Sequence, residues 1–107
     1  MEPPPFAIDV KREKTEAVIS VVGEIDVSTV AQLNAAVGEV LVEAPPRVVL
    51  DLGGVTFCDS QGLGTLVALT RKARMVQCAL VITNVGDFLI RVLDITGLRT
   101  ALLISDS

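Results

Sequence analysis

The alternation of short apolar runs with helical segments constrains the fold of this chain more than any other feature. From residue 47 to residue 104, apolar runs short enough for strands alternate with segments in which apolar residues recur three and four positions apart. Each helical segment is long enough to be the crossover of a dozen or more residues that parallel strands need, so these strands are expected to pair in parallel. A chain of 107 residues has room for one such domain. We therefore predict a single α/β domain, with a small mixed β-sheet and helices mainly on one face.

The predicted order of elements is β-β-α-β-α-β-α-β. Two alternating segments separated by charged residues predict an antiparallel hairpin, whose second strand ends at Gly23. Ser28 is a candidate N-cap for the first helix, and Pro45 and Pro46 end that helix. The next segment is almost continuously apolar, which predicts a strand buried on both faces. The predicted strands cover residues 6–10, 16–22, 47–52, 78–83 and 102–104; the domain covers residues 6–107, and residues 1–5 form a proline-rich lead-in.

The composition excludes several classes of function. The chain contains no histidine, which removes Ser-His-Asp and Cys-His catalysis and most zinc sites. The net charge is −4 and the only aromatic residues are three phenylalanines, which argues against nucleic-acid binding. Two cysteines without a CxxC motif suit a reducing compartment, and no apolar run is long enough to span a membrane. We expect a cytoplasmic protein that is not an enzyme, without metal, cofactor, nucleic-acid or membrane partner.

The most informative segment is residues 51–64, where an apolar strand leads into a helix. The first turn of this helix contains Ser60 and the glycines Gly62 and Gly64. One interpretation is structural: Asp59 or Ser60 caps the helix, and the glycines let it pack close to the sheet. The other is that Ser60 accepts a phosphate, because a helix N-terminus tolerates a dianion. A serine without a histidine base and outside a GxSxG motif does not favour catalysis.

Two motifs resemble the STAS domain of bacterial anti-sigma factor antagonists. One is Gly-Glu-Ile-Asp at residues 23–26, and the other is Asp-Leu-Gly-Gly-Val-Thr-Phe-Cys-Asp-Ser-Gln-Gly-Leu-Gly at residues 51–64. The resemblance implies partner switching, in which the unmodified antagonist binds an anti-sigma factor that is also a serine kinase and so frees a sigma factor for transcription. Phosphorylation breaks this complex, and a metal-dependent serine phosphatase restores the binding form.

The resemblance also implies roles for individual residues. The modified serine of the family directly follows the Asp of the Asp-Ser pair, which is Ser60 here, and Asp26 matches a family position near the phosphosite. Many members have Ser or Thr where this chain has Gln61. A phosphate adds roughly −1.5 to −2 charges to a surface of this chain that is already acidic, so we expect it to favour release of the partner. The predicted contact surface consists of Glu24, Asp26, Asp59, Ser60, Gln61, Gly62 and Leu63.

Other functions are compatible with the same residues. The chain can be a scaffold subunit of a larger signalling or lipid-transport assembly without sigma-factor control, or a weak nucleotide-binding module. Cys58 is either a redox sensor or a small buried hydrophobe. Arg71, Lys72 and Arg74 either contact an acidic partner or complement the dipole of their helix. Phe88, Leu89, Val92 and Leu93 form a helix face that we expect to pack against the sheet; the alternative is that such residues line a groove for a partner.

Overall fold

Residues 5–105 are described by a computed structural model, and they form a five-stranded sheet and three α-helices. The first four residues of the predicted lead-in, and residues 106 and 107, lie outside the described residues. The strands are β1 (Ala7–Arg12), β2 (Glu16–Ile25), β3 (Arg47–Cys58), β4 (Ala79–Thr83) and β5 (Leu103–Ser105). The helices are α1 (Val30–Val42), α2 (Ser60–Met75) and α3 (Asp87–Thr96), and a 3₁₀ turn (Leu98–Ala101) follows α3. This order confirms the prediction.

The strands lie in the sheet in the same order as in the chain. β1 pairs with β2 in antiparallel orientation, and β2 to β5 are parallel neighbours. Right-handed crossovers that all advance in one direction place the three helices on the same face. The ends of β2, β3 and β4, with the loops at residues 26–29, 59 and 84–86, form what we call the carboxyl edge. None of the helices in residues 5–105 combines the length and the apolar character that crossing a bilayer requires.

One continuous core joins the helices to one face of the sheet. Val48 and Leu50 of β3 are fully buried in this core, whereas Val49 and Asp51, which point to the other face, are only half-buried. The prediction that this strand is buried on both faces is therefore wrong, because the helices all cover the same side. The helices contribute Leu33, Val37, Val40, Leu41, Leu63, Leu66, Leu69, Ala73, Leu89 and Leu93 to the core.

Gly23 lies inside β2 and does not end the strand. It has a φ of 100°, and the pairing register between β2 and β3 shifts between Gly23 and Glu24. A Cβ at Gly23 would lie 2.9 Å from the Cα of Phe6, so the backbone conformation and the close approach both require glycine. Gly23 thus accommodates the shift of register, and β2 continues beyond it to Ile25. This extension brings the end of β2 level with the end of β3.

Candidate functional site

Three loops meet at the carboxyl edge, and the sheet register holds two of them together. Ile25 pairs with Cys58, and the backbone N–H of Asp59 donates a hydrogen bond of 3.1 Å to the carbonyl of Ile25. The loop before α1 therefore lies beside the loop before α2. In open α/β sheets, ligands bind outside the carboxyl ends of the strands. The carboxyl edge is thus the part of the fold where a functional surface is expected.

Ser60 is the first residue of α2, and it is exposed. Asp59 precedes it in an extended conformation and caps the helix, because its Oδ1 accepts a hydrogen bond of 2.9 Å from the N–H of Gly62. The side chain of Ser60 makes no hydrogen bond or ion pair with any residue in the range 5–105. The structural interpretation is confirmed for Asp59, which caps the helix. The interpretation of Ser60 as a phosphate acceptor stays a prediction.

Replacing Asp59 by alanine is expected to lower the free energy of unfolding by about 1 kcal/mol, because the first turn of α2 loses its side-chain cap. Asp59→Asn keeps an acceptor oxygen in the same place, so its loss is expected to be smaller. Urea unfolding of the three proteins, followed by circular dichroism, measures both differences. Equal losses in the two variants would contradict the capping role of the Asp59 side chain.

Gly62 and Leu63 lie on the inner side of the first turn of α2. A Cβ at Gly62 would lie 2.6 Å from Cys58 Sγ and 2.8 Å from Ile25 Cγ2, and Leu63 is only 6% exposed. Gly62 thus has no side chain to present and the Leu63 side chain is buried in the free chain, and their part in the contact surface stays a prediction. They hold α2 against β2 and β3, and so fix the position of the exposed Ser60.

The Asp26 carboxylate is held within its own loop. Its Oδ1 accepts hydrogen bonds from the backbone N–H and the hydroxyl of Ser28, at 2.9 and 2.6 Å. The prediction that Ser28 is the N-cap of α1 is wrong. The helix begins at Val30, so Thr29 holds the N-cap position, and the Ser28 hydroxyl bonds to Asp26 instead. Hydrogen bonding from Ser28 lowers the pKa of Asp26, which is therefore charged at neutral pH. No hydrogen bond links Asp26 to Ser60 within the described residues, so Asp26 supplies charge without orienting the serine hydroxyl.

The charges of the carboxyl edge have one sign. Glu24, Asp26, Asp59 and Asp87 lie in or beside its three loops. The sequence has no lysine or arginine in residues 15–46, 48–70 or 75–90, so these loops carry no positive side chain. Basic residues occur instead in the β1–β2 hairpin, at the start of β3, at the end of α2, and along α3 and the 3₁₀ turn. Ser60 therefore lies on an acidic surface of a domain whose opposite edge holds most of its basic residues.

Exposed apolar side chains also occupy the carboxyl edge, and sequence reasoning missed them. Val27 is 71% exposed, Phe57 43% and Phe88 64%. The prediction that Phe88 packs against the sheet is wrong, because α3 buries Leu89 and Leu93 and turns Phe88 outward. The spacing contained a signal, since the charged Arg91 and the exposed Ile95 follow Phe88 at three and seven positions, on one side of the helix.

Cys58 is buried next to this surface. Only 6% of it is exposed, and burial, with a smaller contribution from the charge of Asp59, raises its pKa to about 12. A redox-sensing cysteine needs an accessible thiol of low pKa. The structure therefore favours the interpretation of Cys58 as a small buried hydrophobe. Cys78 is buried as well, and neither cysteine forms a disulfide.

Comparison with known proteins agrees with this architecture. Residues 8–105 match the family described as Mlab, STAS domain. The anti-sigma-B factor antagonist of Listeria monocytogenes is 34% identical over 94 residues, which cover 87% of this chain and 82% of that protein. The crystal structure of an anti-sigma factor antagonist from Mycobacterium paratuberculosis has a TM-score of 0.85 and 30% identity, covering 96% of this chain and 87% of that one.

A second relative is matched over a smaller part of its length. The anti-sigma-F factor antagonist RsfB of Mycobacterium tuberculosis is 40% identical over 70 residues, which cover 65% of this chain and 57% of RsfB. The match thus spans little more than half of that relative. The family match over residues 8–105 and the relatives matched over most of their length lead to one conclusion: this chain belongs to the STAS domain family, and its relatives include anti-sigma factor antagonists.

Proposed function

We propose that this chain is an anti-sigma factor antagonist that acts by binding rather than by catalysis. Its partner is an anti-sigma factor with serine kinase activity, which binds the carboxyl edge while Ser60 is unmodified. Phosphorylation of Ser60 ends the complex, and a metal-dependent serine phosphatase returns the chain to its binding form. The observation that carries the proposal is the Ser60 hydroxyl, which is exposed, makes no hydrogen bond within residues 5–105, and is fixed at the start of α2.

The position of Ser60 permits modification without damage to the fold. Asp59 provides the cap of α2, so a phosphate on Ser60 displaces no side-chain hydrogen bond of the part of the chain that the structure describes. The free amides of the first turn favour an anion at this point. The same phosphate opposes binding at the point where it meets the nucleotide of the kinase, although the carboxylates around it suit a basic partner surface. In a kinase, the transferred phosphate faces the remaining phosphates of the nucleotide, which carry charge of the same sign.

The test compares Ser60→Ala with Ser60→Asp. Ser60→Ala serves as bait to isolate the anti-sigma factor from the native host, because it cannot be released by phosphorylation. Calorimetry with the purified anti-sigma factor is expected to give affinities within about twofold for wild type and Ser60→Ala, and at least tenfold weaker for Ser60→Asp. With ATP, the anti-sigma factor is expected to add one phosphate to the wild type and none to Ser60→Ala.

Gln61→Glu is the matched control, because it adds a negative charge at the next exposed position and leaves the acceptor hydroxyl in place. We expect it to weaken binding less than Ser60→Asp does. Equal affinities of Ser60→Ala and Ser60→Asp, or phosphorylation at a different residue, would overturn the proposal.

A further inference from the structure

A small apolar pocket lies at the carboxyl edge, between the end of β3 and the start of α3. Its volume is about 60 Å³. The floor is formed by core residues, Leu52, Cys58 and Leu89, and exposed aromatic side chains, Phe57 and Phe88, stand at the rim. Thr56, Val55 and Gly86 complete the lining. Ser60 is not part of this lining, but it follows the lining residue Cys58 by two positions in the chain.

The fold does not account for the exposure of these aromatic rings. Phe57 and Phe88 are two of the three phenylalanines of the chain, yet they are 43% and 64% exposed. α3 is already anchored by Leu89 and Leu93, so Phe88 contributes little to holding it on the sheet. Exposed apolar groups that cluster around a pocket and are rimmed by charges mark interaction sites. Aromatic residues are also enriched among the side chains that carry most of the energy of protein interfaces.

We propose that the pocket receives one aliphatic side chain of the protein partner, from a surface whose neighbouring side chains are basic. Its size supports an aliphatic group, because a cavity of about 150 Å³ holds a benzene ring, and this pocket measures about 60 Å³. The charges support basic side chains around it, because Asp59 and Asp87 directly follow the lining residues Cys58 and Gly86, and no lysine or arginine lies in the adjoining loops. The identification of this partner as an anti-sigma factor rests on the proposed function.

The pocket gives the partner a contact that Ser60 does not provide. In the proposed function, phosphorylation removes the contacts between the partner and Ser60. The pocket keeps its shape in both forms, because core residues form its floor. Phe88 thus acts as a specificity residue: it selects partners that carry an aliphatic side chain at the matching position.

The first test measures the affinity of Phe88→Ala for the anti-sigma factor isolated with Ser60→Ala. We expect binding to weaken at least tenfold, as is typical when a central aromatic anchor is removed. Ile95→Ala is the matched control: Ile95 lies on the same helix, is 79% exposed and does not line the pocket, so the affinity of this variant is expected to stay within about twofold of wild type. Urea unfolding of both variants checks that they fold as stably as the wild type.

A second test needs no anti-sigma factor. The amidated peptide Lys-Lys-Leu-Lys-Lys and its alanine-centred counterpart are titrated into the protein, and the NMR signals of the Phe57 and Phe88 rings are followed. We expect shifts with the leucine peptide only, and none in Phe88→Ala. If the leucine peptide alone causes shifts but no anti-sigma factor binds the protein, the proposed function is overturned and the proposal for the pocket stands. Equal affinity of wild type and Phe88→Ala for the anti-sigma factor, or equal shifts with both peptides, would overturn the pocket.

Discussion

Gly62→Ala is expected to lower the free energy of unfolding by about 3 kcal/mol, the upper end of the usual cost of overpacking a core. The added Cβ would lie 2.6 Å from Cys58 Sγ, 2.8 Å from Ile25 Cγ2 and 2.9 Å from the Ile25 carbonyl oxygen. The side-chain atoms can shift, but the carbonyl oxygen belongs to β2 and accepts the hydrogen bond of Asp59. The first turn of α2 must therefore move away from the sheet. Urea unfolding measures the loss directly.

Gly64→Ala is the control for this experiment. Gly64 lies two residues further along α2, is exposed, and has nothing within 4 Å of an added Cβ. Alanine is favoured over glycine by about 1 kcal/mol in a helix interior, so this variant is expected to gain stability. Opposite signs for two chemically identical substitutions isolate the contact with β2. A Gly62→Ala protein as stable as the wild type would contradict the close packing of α2.

Cys58 is expected to react with iodoacetamide at least a thousandfold more slowly in the folded protein than in the unfolded chain at pH 8. An ordinary cysteine, with a pKa of about 8.5, is roughly one quarter thiolate at this pH. With its pKa raised to about 12, the Cys58 thiol is ionised in about one molecule in ten thousand. Only the thiolate attacks the reagent, and burial further limits access. Mass spectrometry of digested samples separates the labelling of Cys58 from that of Cys78.

The raised pKa has a consequence for stability at high pH. The unfolded chain releases the Cys58 proton at a lower pH than the folded protein does. Burial of the protonated Cys58 thiol therefore contributes fully to the free energy of unfolding below about pH 8.5, the pKa of an ordinary cysteine. This contribution declines as the pH rises toward 12. An exposed thiol introduced on α2 by Ala68→Cys provides the internal reference for the labelling experiment. If Cys58 and this reference were labelled at similar rates in the folded protein, the burial of Cys58 would be contradicted.

The element order was predictable because each element has a local signal. The helical spacing after Asp87 and the glycine at residue 97 predicted α3, which ends at Thr96 with Gly97 in the left-handed conformation as its cap. The placement of Ser60 at the start of α2 was equally local, since a polar residue follows an apolar strand. Caps and periodicity depend on residues only a few positions apart, and a single sequence contains them.

Features that depend on distant contacts were not predictable. The extension of β3 from residue 52 to Cys58 follows from its pairing with β2, through two shifts of register that no local pattern announces. The close packing of Gly62 on Ile25 was not predictable either, because the two residues are distant in the sequence and no local pattern shows their contact. Phe88 was assigned to the core for a similar reason: hydrophobicity alone does not reveal that Leu89 and Leu93 already fill that position.

The strand order gives the domain a simple route for folding during synthesis. Each strand pairs with its neighbour in the chain, so no pairing has to wait for a distant segment. The helix α2, which begins at Ser60, packs mainly on β4 within the sheet, so it is fully supported only after β4 has been made. β5 has three residues and one neighbouring strand, so it is added last and its amide protons are expected to exchange first. A nascent chain can thus complete the turn that carries Ser60 before the pocket at Phe88, whose α3 side is synthesised later.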